Sequence, residues 1–284
     1  MSIILSVAVP EGIVIAGDSR QTYTNEKKNT RIGSDFGSKV FQLTNRIAVA
    51  TFGWAFLQPQ SANTLSSMGA LIEDLRAKLD TEVNVIDAGN QLAGYLQGIY
   101  DYDVASLKWT PAPQGKLAVG LHVVGYNKDS TVGEAYLVQI PPGSSQLLRN
   151  TNNAGCNWDG QTDVITRLVR GLDPRVELLP FVRHAINNPL PNQPTVAEQI
   201  INLQYVINWA TMTLQDAIDF ALFMVNSTIK MQRFSDGIIM DQGDIPGCGG
   251  EVDVAVITHR DGFRWIQGCL NLLKKKRIGC AIKG

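Results

Sequence analysis

The chain has 284 residues, 44% hydrophobic and 18% charged, so it can bury a full core as one large domain or two small ones. Its 25 basic and 26 acidic side chains leave a formal charge of −1, which gives no electrostatic footprint for nucleic acid. No apolar stretch approaches the roughly 20 residues of a membrane span, and the one basic run, Lys274-Lys275-Lys276-Arg277, reads as a solvated tail or a subunit contact. Cys156, Cys248, Cys269 and Cys280 lack CxxC spacing and a nearby His, which argues against zinc and against a disulfide framework and points to a reducing, cytoplasmic compartment. The apolar start has no basic n-region or cleavage site and is broken by Pro10, Glu11 and Gly12, so no signal peptide is expected.

In chain order, residues 2–22, SIILSVAVPEGIVIAGDSRQT, predict a hairpin turning at Pro10-Glu11-Gly12. A polar segment, Gln21 to Gly37, follows. SKVFQLTNRIAVATFG then predicts a second hairpin turning at Thr44-Asn45. The strands are nearly continuous in apolar residues, so both faces of their sheet should be covered. Leu65, Met68, Ile72, Leu75 and Leu79 predict one helix, and Ala88, Leu92, Tyr95 and Ile99 a second. Strands return at KLAVGLHVVGY, EAYLVQI and Gln146 to Asn150. Helix is expected from Asn157 to Leu172 and again from Thr213, where TLQD resembles a capping box ahead of Ile218, Ala221, Val225 and Ile229. EVDVAVITHRDGFRWIQ closes the pattern as a hairpin with an Asp261-Gly262 turn.

Strands joined by hairpins make antiparallel sheets, and helices must then cover the outer faces. The expected fold class is α+β, a four-layer αββα sandwich of two antiparallel sheets between helix layers. One domain spans residues 1–284, with a helical insertion at 173–212, marked by NNPLPNQP, and a polar loop insertion at 232–248.

The hairpin geometry brings Ser2 opposite residue 19, one step from Asp18 and Arg20. Trimming of the initiator methionine would leave Ser2 with both a hydroxyl and a free α-amine. An amine with a pKa of about 8 can take the hydroxyl proton near neutral pH, so one residue supplies nucleophile and base.

The two N-terminal hairpin sequences, together with MTLQDAIDFAL and GGEVDVAVITHRDGFRWI, resemble proteasome β-type subunits, including their bacterial ancestral-β relatives. The resemblance implies an N-terminal-nucleophile hydrolase fold and a serine- or threonine-type peptidase. It places the nucleophile on Ser2, the buried aspartate on Asp18, the Ser-Arg pair on Ser19 and Arg20, the lysine on Lys39 and the oxyanion glycine on Gly53. Around NAGCNWDG the family's Gly-Ser-Gly run is replaced by Ala154, Gly155 and Cys156. The family's Asp-x-x-Ser before Gly-Gly falls on Cys248 before Gly249-Gly250, or on Phe234-Ser235-Asp236, leaving Asp236, Asp241 and Asp244 as candidates to support the amine. The resemblance implies a peptide or protein substrate, no cofactor and no metal, and a homo-oligomeric ring or stacked assembly, and it leaves an ATPase partner open. Tyr95, Tyr100 and Tyr102, with Phe181, Tyr205 and Trp209 of the insertion, supply aromatic surface for such contacts. A non-catalytic subunit and a small-substrate amidase or ligase remain as alternatives. Cys156 and Cys248 read as packing residues, and His122, His184 and His259 as histidines without partners at triad or metal-ligand spacing.

Overall fold

The computed structural model describes residues 2–24, 30–106, 115–150, 154–189, 191–235 and 245–267. β1 (Ile3–Val9) and β2 (Gly12–Gly17) form the first hairpin, with Ile4 opposite Gly17 and Val9 opposite Gly12. The polar segment after it folds back on itself as β3 (Gln21–Thr24) and β4 (Thr30–Ser34). β5 (Val40–Gln42) and β6 (Ile47–Gly53) are the second hairpin, and β7 (Phe56–Leu57) pairs with β8 (Ser66–Ser67). α1 (Met68–Arg76) is shorter than the apolar spacing predicts. Ser67 caps it, accepting from the Ala70 N–H, and Leu65 is left outside and exposed. α2 (Val85–Ser106) is followed by β9 (Val119–Tyr126), β10 (Gly133–Ile140) and β11 (Ser144–Arg149).

The helix expected from Asn157 begins later. Residues Gly155–Gly160 form β12, paired antiparallel with β1, and α3 is confined to Asp163–Arg170. The GCNWDG stretch is a poor strand by composition, and its pairing with the buried β1 overrides that preference. The 173–212 stretch holds helix in short pieces: 3-10 turns at Pro174–Leu178 and Trp209–Thr211 flank α4 (Pro180–Asn187) and α5 (Val196–Ile201). α6 (Leu214–Phe234) continues past the expected start of the loop insertion, taking in Gln232 and Arg233. β13 (Asp253–Thr258) and β14 (Gly262–Gln267) are the closing hairpin.

Two five-stranded antiparallel sheets result, ordered β12-β1-β2-β13-β14 and β11-β10-β9-β6-β5, so the fold class is α+β. Side-chain alternation along β1 sorts the core. Ile3, Leu5 and Val7 pack with Ile165 of α3 and Ala217, Ala221 and Val225 of α6. Ile4 turns the other way, joining Ile13 and Ile15 to Val40, Ala48, Ala50 and Val124 of the second sheet. The far face of that sheet packs Val49, Leu121 and Val123 against Leu71, Ile72, Leu92 and Leu96 of α1 and α2. Tyr100 belongs to this core, 5.7 Å from Trp54, and Trp209 packs edge-on against Phe220 at 5.1 Å, so these two rings serve the chain's own packing. Among the described residues no helix is long and apolar enough to cross a membrane.

The hairpin turn also fixes α6. Glu11 Oε2 accepts from the Leu214 N–H at 2.6 Å, placing a carboxylate on the positive end of the helix. Thr213 adds a capping box, accepting from the Asp216 N–H at 3.1 Å while Asp216 Oδ2 accepts from the Thr213 N–H. Thr213→Ala should lower stability by about 1 kcal/mol, read as a lower urea midpoint with an unchanged denaturant slope.

Candidate active site

The apolar hairpin runs directly into Asp18, whose carboxylate is fully buried. Oδ1 accepts from the Ile3 N–H at 3.1 Å and from Lys39 Nζ at 2.7 Å; Oδ2 accepts from the Gly249 N–H at 3.0 Å and the Arg20 N–H at 3.2 Å. Three backbone amides and one ammonium therefore replace the water that burial removed. Lys39, just ahead of β5, donates a second bond to the Arg20 carbonyl at 2.6 Å and is itself buried.

Ser19 and Arg20 lock the chain around this pair. The Ser19 N–H donates to the Gly249 carbonyl, its carbonyl accepts from the Gly37 N–H, and its hydroxyl donates to the Asp35 carbonyl. The Arg20 guanidinium grips Asp35 with two bonds, 2.6 and 2.9 Å, and reaches the Pro246 carbonyl at 3.3 Å. Bonding to Asp35 raises the Arg20 value, and the same bond lowers that of Asp35, so the two directions agree. The guanidinium lies against Gly249, where an added Cβ would fall 2.3 Å from Arg20 Cζ. Asp35 has no distinctive local sequence signal for this role, whereas Gly249 belongs to the Gly249-Gly250 pair matched to the family's Gly-Gly.

Ser2 is buried one residue ahead of β1. Its phase along the strand matches Ile4, which places its side chain on the side of the second sheet. There it borders a cavity of about 900 Å³ together with Arg20, Lys39, Thr51 and Gly53. The outer walls are largely aromatic and apolar: Phe41, Phe52, Trp54, Met68 and Trp265. Gly53 ends β6 with φ +95°, and an added Cβ would lie 2.2 Å from the Ala118 carbonyl oxygen. The Thr51 hydroxyl, buried at the same cavity, has no hydrogen-bond partner among the described residues. Of the six residues singled out from sequence, Ser2, Arg20, Lys39 and Gly53 line one cavity, with Asp18 and Ser19 directly behind them.

Across β1, the neighbour of Ser2 is the end of β12. The Ser2 carbonyl accepts from the Gln161 N–H at 2.7 Å, and Gly160, at φ +95°, comes so close that a Cβ there would sit 2.0 Å from the same oxygen. The stretch Ala154-Gly155-Cys156, matched by sequence to the family's Gly-Ser-Gly run, lies instead toward the far end of the strand, with Gly155 opposite Ala8. Gly160 and Gln161 carry no sequence signal for this role, because the pattern from Asn157 to Leu172 predicts helix across the strand that delivers them. Asp236, Asp241 and Asp244 lie outside the described residues, as do Cys269, Cys280 and Lys274–Arg277. Cys156 and Cys248 are buried free thiols, and burial raises both, Cys156 to about 12. His122 departs from the expectation of no partners: it bonds both Ser6 and Asp159. Among the described residues no three His, Cys, Asp or Glu side chains converge as metal ligands would. No protein-family model matches the chain, and no curated protein matches it.

Removing one partner of a buried ion pair strands the other, which typically costs about 3–5 kcal/mol. Lys39→Ala should fall near the lower end, because three amides still hold Asp18. The Lys39→Met/Asp18→Asn double variant should lose less than the sum of its single changes, measured by urea unfolding. For the part-buried Arg20–Asp35 pair, a depressed Asp35 adds stability above the ordinary carboxylate value of about 3.9, lost as pH falls through the lower folded value. The stability gap between wild type and Asp35→Asn should therefore be constant above about pH 5 and shrink below about pH 4.

Proposed function

We propose that this chain is an N-terminal-nucleophile amidohydrolase of the proteasome-like kind, a peptidase that uses Ser2 as nucleophile and its free α-amine as base. The observation that carries the reading is the convergence of Ser2, Lys39 and Gly53 on one cavity, with Asp18 bonded to Lys39 behind them. The two sheets and their flanking helices are read as the four-layer αββα sandwich of that class, with 173–212 as an insertion into a single domain.

The Ser2 hydroxyl attacks the substrate amide carbonyl as the α-amine takes its proton, and the tetrahedral oxyanion forms facing the Gly53 N–H. Collapse breaks the C–N bond, and the α-ammonium returns the proton to the leaving amine. Water, activated by the freed α-amine, then cleaves the ester and restores Ser2. Lys39 acts as a fixed positive charge: by electrostatic repulsion it favours the neutral, proton-accepting form of the amine. The aromatic and apolar cavity walls suit a peptide with a bulky apolar residue on the acyl side. Phe181 and Tyr205 of the insertion, 70% and 74% exposed, fit a homo-oligomer in which the site faces an interior space.

Intact mass spectrometry of the purified protein should show loss of one methionine, and an electrophile directed at N-terminal nucleophiles should add to Ser2. Ser2→Ala and Lys39→Ala should each abolish that labelling while remaining folded by circular dichroism. Active protein that keeps Met1, or a Lys39→Ala variant labelled at the wild-type rate, would overturn the assignment.

A further inference from the structure

β9 carries a histidine in a layer that aliphatic and aromatic side chains, Tyr126 and Phe263 among them, mostly fill. His122 is 0% exposed, in the space between the two sheets that Ile4, Ala50 and Val124 fill. Its Nε2 lies 2.7 Å from Asp159 Oδ2 and its Nδ1 3.3 Å from Ser6 Oγ. A carboxylate can only accept, so Nε2 carries the proton toward Asp159. In the neutral ring Nδ1 then accepts from the Ser6 hydroxyl. Ser, His and Asp together have the composition of a nucleophilic triad, but Ser6 is 2% exposed and neither it nor His122 borders the cavity at Ser2. No substrate carbonyl reaches this hydroxyl, so the cluster is not a second catalytic centre.

Its placement gives it a different use. Ser6 is on β1, four residues beyond Ser2, and Asp159 is on β12, directly before the Gly160–Gln161 pair that holds the Ser2 carbonyl. His122 itself belongs to the opposite sheet and is registered against Ala50 of β6, the strand that ends at Gly53. One imidazole therefore ties together the strand that presents Ser2, the strand end that clamps it, and the sheet that supplies the facing glycine. Aliphatic packing would hold these layers together without fixing where one slides over the other, whereas two directional bonds fix both spacing and register.

We propose that His122 is a positioning residue for the Ser2 site, acting through Asp159 and Ser6 to set the distance between Ser2 and the Gly53 N–H; this rests on the peptidase reading above. A misplacement of about 1 Å can cost on the order of 100-fold in rate, so the tie should be visible in the acylation step and not in binding.

The test uses the full chain and four variants: His122→Leu, which removes both bonds; Asp159→Ala, which removes one at a side chain 32% exposed and so disturbs folding least; Asp159→Asn, its conservative counterpart; and Val124→Ala, which loosens the same layer without touching the tie. Two readouts are taken where all are folded. Hydrogen–deuterium exchange is followed in the peptide spanning residues 159–163, which contains the Gln161 amide. The rate of Ser2 modification by the electrophile is separated into its saturation rate and half-saturating concentration.

His122→Leu and Asp159→Ala should speed exchange in that peptide at least 10-fold over Val124→Ala and lower the saturation rate about 10- to 100-fold at an unchanged half-saturating concentration. Asp159→Asn, which keeps an acceptor for Nε2–H, should recover most of the rate lost in Asp159→Ala. If His122→Leu fails to fold, the two Asp159 variants decide the matter alone. Exchange no faster than in Val124→Ala overturns the proposal. If wild type is unmodified at Ser2 while exchange at 159–163 still responds to the tie, the positional link stands and the peptidase reading falls.

Discussion

The buried Asp18 carboxylate is the constraint around which the other parts of the site are arranged. A single charge removed from water needs nearly all its lone pairs filled, and here the donors come from four separate places in the chain: β1, the residue two positions on, the glycine pair before β13, and the lysine before β5. Each donor is thereby fixed relative to the others. The polar Asp-Ser-Arg sequence at the end of an apolar hairpin is the core of this junction and not a solvated strand end, since Asp18 and Ser19 are both fully buried.

The junction works because β1 has a double allegiance. Its odd-numbered residues are uniformly apolar and anchor the strand to α3 and α6. Its even-numbered residues, Ile4, Ser6 and Ala8, face the second sheet, and with Ser2 just ahead of the strand in the same phase this face alternates polar with apolar. Hydrophobic burial on one face thus holds a strand whose other face can carry chemistry, the usual separation between a rigid scaffold and the groups it presents.

What could be read from sequence follows from how local each signal is. The three hairpins, α2 and α6 were legible because turn residues, a 3.6-residue period and the Thr213–Asp216 cap lie within a few residues of the structure they specify. The convergence of Ser2 with Asp18 was legible for the same reason, since a two-residue turn fixes cross-strand partners. β12 was not: its polar, glycine-bounded sequence is a strand only because β1 is there to pair with it, and Gly160 and Gln161 were hidden with it. Asp35 and His122 depend on contacts 15 and 37 or more residues away, with no pattern that announces them. The strands within the polar 21–37 segment were not legible because they form a separate exposed ribbon, without the apolar alternation a covered sheet imposes.

Gly53 and Gly160 bound the site on opposite sides, and at each the main chain meets another backbone carbonyl closely enough to exclude even a methyl group. The dimensions of the central part are therefore written in backbone geometry, whereas the surrounding cavity is walled by side chains such as Phe41, Trp54 and Met68. The two respond differently to mutation. Divergence at the walls can change which molecules enter while leaving the spacing at the centre untouched, but replacing either glycine forces strands apart. A chain built this way can drift far in the shape of its cavity under a fixed inner frame, which is a route to new selectivity without rebuilding the fold.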